Sequence, residues 1–193
     1  MLTPDLGRGL FAGLAALLVV WLCGAAWRRD GREPLAVAGL ALAGASLLAM
    51  SGKLQLSGEL VVGLALLVGA GLFADLDPRL RGFLPLLAFP GAVVICGSSE
   101  LVGTGWVRVL VALTIVAGGP LVAAFDHRWR HRGYGPVLLA VTVAGAYATV
   151  PETGRLVVVL SVAAALSLAG WPIPVASLGS AGSLVVTGLL VWT

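Results

Sequence analysis

The stretch Ser57–Glu100, SGELVVGLALLVGAGLFADLDPRLRGFLPLLAFPGAVVICGSSE, decides the fold. One acid, Glu59, opens an apolar run that ends in a basic knot, DLDPRLRG at Asp75–Gly82. A second apolar run follows and ends at another acid, Glu100. Two such runs joined by a short charged turn describe a helical hairpin, and neither run has a polar stripe wide enough to face water. The pattern continues in both directions. Further knots stand at Trp27–Glu33 (WRRDGRE) and Asp126–Gly133 (DHRWRHRG), and the alternate turns carry Asp5 and Glu152.

Composition points the same way. The chain has 193 residues, 59% of them hydrophobic and only 11% charged, with a mean hydropathy of +1.04. Soluble domains carry roughly 25% charged residues, so the expected fold class is all-α, a polytopic helical membrane protein. Helices spanning about 20 residues each leave no room for a substantial soluble domain. The start, MLTPDLGRGLFAG, lacks a basic n-region and a small-residue cleavage site, and reads as the head of the first span. Twelve basic residues include a single lysine, Lys53, an arginine bias that suggests a GC-rich bacterial genome.

Eight spans are expected, at Arg8–Trp27, Pro34–Ser51, Glu59–Ala74, Gly82–Gly97, Leu101–Phe125, Gly133–Val150, Arg155–Gly170 and Ile173–Trp192. No charge separates the last two. As one helix, Leu156–Trp192 would be about 55 Å long against a hydrocarbon core of about 30 Å. Trp171-Pro172-Ile173-Pro174 supplies the break, since proline removes an amide donor and disfavours helix in the preceding residue. The chain reads as one transmembrane domain, 1–193, of four hairpins at 1–52, 53–97, 98–150 and 151–193. The middle two resemble each other: Ser57-Gly58-Glu59-Leu60-Val61 leads to Asp75, Arg79, Arg81 and Pro85, as Ser98-Ser99-Glu100-Leu101-Val102 leads to Asp126, Arg130, Arg132 and Pro136. Parallel repeats of this kind occur in transporters.

Orientation follows from the basic residues. Arg28, Arg29, Arg32, Arg79, Arg81, Arg128, Arg130 and Arg132 lie on the knot face, against Arg8, Lys53, Arg108 and Arg155 on the other. Eight against four places the knots in the cytoplasm and both termini outside. Cys23 and Cys96 then lie at opposite membrane faces, too far apart for the 4.4–6.8 Å or so between Cα atoms of a disulfide, and are expected as free thiols.

Candidate sites are few. Arg79, Arg81, Arg128, Arg130 and Arg132 form a basic rim suited to anionic lipid headgroups. Glu100 and Arg108, two helical turns apart, are a candidate intramembrane pair. Pro90 with Gly91, and Gly119 with Pro120, mark candidate helix breaks that would expose backbone groups to a ligand. His127 and His131 stand four apart, yet the arginines between them repel a cation, so no metal site is expected. The acids in the other turns read as helix starts, each near the positive end of a helix dipole.

No zinc-protease, nucleophile-elbow, phosphate-loop or CxxC motif is present, and no cofactor is implied. The expected function is an accessory or scaffolding subunit of a membrane assembly, acting by binding. Its partners are membrane lipids with anionic headgroups on the cytoplasmic side, and a membrane protein or a second copy; nothing points to nucleic acid. The alternative is a small transporter or flippase-like carrier for an apolar or lipid-linked substrate. A third reading is a lipid-phosphate enzyme using Asp75, Asp77, Asp126 or His127, although these groups read as solvated.

Overall fold

The computed structural model describes residues 57–98, 105–129 and 179–192, with residues 7–8, 11–15, 18–19, 22 and 44 besides. Among the described residues all regular structure is helical: α1 (Gly58–Leu76), a 3-10 turn (Pro78–Phe83), α2 (Leu84–Ser98), α3 (Trp106–Trp129) and α4 (Gly179–Trp192). Three stretches are long and apolar enough to cross a membrane, Gly58–Leu76, Arg79–Ser98 and Trp106–Ala124. The sixth and seventh expected spans, the second apart from Gly44, the Trp171–Pro174 break and Cys23 lie outside the described residues.

The hairpin expected at the centre of the chain is present. Ser57 starts α1 by accepting the Leu60 amide on its hydroxyl at 3.2 Å, and Glu59 occupies the first turn. That is the expected helix start, with an oxygen satisfying an orphan amide and an acid near the positive end of the dipole. At the other end the Asp77 amide closes the helix on the Phe73 carbonyl at 3.0 Å. Asp77 then accepts the Arg79 amide at 2.9 Å and, with Pro78 next in sequence, launches the 3-10 turn. The polar knot therefore reverses the chain within a few residues.

Around this hairpin the helices form an antiparallel ring. α1 packs on α2, α2 on α3, α3 on α4 and α4 back on α1, with α4 also touching α2 across the middle. Leu60, Leu64, Leu67, Ile95, Ile115, Leu184 and Leu189 fill the interior. The outer faces carry Val62, Phe73, Leu86, Leu110 and Leu121. An apolar interior with an equally apolar exterior is what a helix bundle surrounded by lipid presents. Ala12, in the first expected span, packs on the same core.

Glycine sets the helix separations. A Cβ at Gly63 would lie 2.5 Å from the Ile95 Cγ1 and 3.1 Å from the Gly91 oxygen, so α1 and α2 meet backbone to backbone. A Cβ at Gly71 would run into the backbone of Ala181 in α4. One at Gly119 would lie 2.6 Å from the Leu184 Cδ2, and one at Gly118 2.7 Å from the Thr187 Cγ2, which brings α3 against α4. These are small-residue contacts, where close packing takes the place of a hydrophobic driving force.

Candidate functional site

Among the described residues, a polar group bonded across two helices lies at the knot end of the bundle. Asp75 is in the last turn of α1 and half-buried. Its carboxylate accepts the Ser180 amide on both oxygens, at 3.1 Å to Oδ1 and 3.0 Å to Oδ2, and the Ala181 amide at 3.4 Å. Ser180 and Ala181 form the first turn of α4, 105 and 106 residues further along the chain. These amides are among the four that a helix leaves without an internal partner. Asp75 thus supplies from another helix the cap that Ser57 gives α1 locally.

The sequence around α4 explains why. Its first turn contains no acid, unlike α1 with Glu59. Gly179 at its head has φ +60°, a left-handed backbone that glycine adopts without a Cβ clash. One turn of α1 away from Asp75, Gly71 lets the first turn of α4 come close enough for the carboxylate to reach. Inside α4 the buried Ser183 hydroxyl donates to the Gly179 carbonyl at 2.7 Å, and the Thr187 hydroxyl to the Ser183 carbonyl at 2.7 Å. Both hydroxyls are thereby spent on their own helix.

This geometry corrects one expectation. Asp75 reads from sequence as a solvated acid of the knot, yet its two oxygens are held by helix amides. Asp77 is exposed and engaged with the Arg79 amide.

The basic residues of the central knot, Arg79 and Arg81, are exposed. Arg79 has its side chain at the surface, while Arg81 turns its Nε back to the Ala74 carbonyl at 3.4 Å and so caps the end of α1. Arg128 lies in the last turn of α3, and its side chain, with Arg130, Arg132 and His131, lies outside the described residues. So does Glu100, and with it the candidate pair. Arg108 is in the first turn of α3 and only half-buried. It stands within electrostatic range of Cys96, a buried free thiol near the end of α2.

Neither proline breaks its helix. α2 runs continuously through Pro90 and α3 through Pro120. Both prolines face outward, and the glycines beside them face inward. A Cβ at Gly91 would lie 2.9 Å from the Gly63 oxygen. The Pro-Gly pairs therefore sit at helix contacts, with the ring on the exterior and the small residue at the crossing. Among the described residues no three of His, Cys, Asp and Glu gather as a metal site would require.

No protein-family model, curated protein or solved structure matches this chain.

Proposed function

We propose that the chain is an integral membrane protein of eight spans in four hairpins, and that it acts by binding, as an accessory or scaffolding subunit of a membrane assembly. The knots face the cytoplasm, both termini face outward, and the arginine rim meets anionic headgroups. The observation that carries the reading is how the polar groups of the bundle are used. Asp75, Ser183 and Thr187 all bond to backbone, and the space between the helices is filled by aliphatic side chains. A carrier needs polar groups turned toward a cargo; these three are turned toward the main chain.

The outward faces suit a partner of the same chemistry as lipid. Phe73, Leu86, Leu110 and Leu121 offer apolar contact to a neighbouring transmembrane helix or to acyl chains alike.

Native mass spectrometry of the protein extracted gently from its own membranes tests the reading. A stoichiometric protein partner is the expected result. A retained lipid-linked species, lost when Arg79 and Arg81 are changed to alanine, would replace the subunit reading with a carrier. A bare monomer that retains neither would also overturn it.

A further inference from the structure

We propose that Asp75 is a clasp: it holds the knot end of α4 in the bundle, and its release opens that end while the opposite end stays packed. The contact joins residues 105 positions apart, so it closes the ring between helices that are distant in sequence.

The structure divides α4 into unequal halves. Gly179 and Ser180 are half-buried; Ala181, Gly182 and Ser183 are buried, but Ala181 is the one apolar side chain these five residues bring to the core. From Leu184 onward the helix is anchored by Leu184, Val185, Leu189 and Trp192, all buried. A Cβ at Gly188 would lie 2.8 Å from the Leu67 Cδ1 and 3.1 Å from the Ile95 Cδ1, so this half is locked against α1 and α2 together. The far half is held by packing of large side chains, the near half by the contact of Ala181 with Gly71 and by hydrogen bonds to one carboxylate. Local opening starts where buried apolar contact is least, so the first turn of α4 is the part that the clasp restrains.

Two substitutions dissect the contact from its two sides. Asp75→Asn keeps the shape and removes the charge. Ser180→Pro removes a donor amide in the first helical turn, where proline is compatible with helix and no internal hydrogen bond is lost. The full chain in lipid nanodiscs is followed by hydrogen–deuterium exchange with mass-spectrometric detection. Exchange at residues 182–185 is expected to rise about tenfold or more in each variant, while residues 92–96 of α2 keep the parent rate. The double variant should exchange little faster than the faster single one, because both act on the same contact. Unchanged exchange at 182–185 in either variant would overturn the clasp. So would additive effects, or an equal rise in α2, which would make Asp75 a general stabiliser. Ser180→Pro leaves Asp75 intact, so the test survives if Asp75→Asn fails to fold.

Discussion

Gly63 and Gly91 are reciprocal neighbours: a Cβ on Gly91 would lie 2.9 Å from the Gly63 oxygen, and a Cβ on Gly63 would lie 3.1 Å from the Gly91 oxygen. Each glycine is the space that the other's backbone occupies. Replacing either with alanine forces α1 and α2 apart, with an expected loss of about 1–3 kcal/mol. Thermal unfolding in detergent would show it as a lower midpoint. Gly69→Ala is the control, since a Cβ there meets nothing within 4 Å. Its midpoint should hold or rise slightly, alanine being the better helix former.

Gly71 and Gly188 should differ in whether they can be rescued. The obstruction at Gly71 is the backbone of Ala181, so Gly71→Ala is expected to destabilise whatever side chain stands at 181. Pairing it with Ala181→Gly should restore little. At Gly188 the obstruction is the Leu67 Cδ1 and the Ile95 Cδ1, the ends of two side chains. Gly188→Ala should therefore recover most of its loss when combined with Leu67→Val. A double-mutant cycle on unfolding midpoints separates the two cases.

Ser57→Ala should cost about 1 kcal/mol, the usual worth of an N-cap. The loss belongs to the acid end of α1, so amide exchange should rise at Leu60 and its neighbours. Exchange at the clasp should not move. A rise at both ends would mean that α1 responds as a rigid unit.

Pro90→Ala and Pro120→Ala should be neutral or mildly stabilising. Both prolines face outward in continuous helices, and alanine restores an amide donor that proline lacks. Circular dichroism of the folded protein should show equal or slightly greater helicity, with an unchanged or higher midpoint. A marked loss of stability would mean that the rings themselves support the bundle.

The hairpin at the centre of the chain was legible because two signals agree there. The Glu59–Ala74 expectation meets α1 at Gly58–Leu76, and Gly82–Gly97 meets α2 at Leu84–Ser98. The offset at the second start arises because Asp77 and Pro78 nucleate a 3-10 turn before the α-helix begins. α3 was less legible. It starts at Trp106, not Leu101, behind Gly105 with φ +80°. It also continues through the charged residues to Trp129, since a helix need not stop where hydropathy falls. The prolines misled because a proline kink is read from one residue, whereas continuity depends on the neighbours that support the helix. Asp75 was invisible for a related reason. Its partner is the main chain of a helix more than a hundred residues away, and main-chain donors leave no mark in a sequence.

A carboxylate bonded to main-chain amides has a genetic consequence. The clasp is one-sided: an acid on α1 grips amides that nearly every residue type possesses. Drift at the half-buried position 180 leaves the grip in place unless proline arrives, whereas almost any change at position 75 weakens it. Second-site revertants of a lost Asp75 should then not arise by exchanging a partner in α4, as they would for a pair of side chains. They should map to positions that tighten α4 by packing, or to a new acid near its first turn.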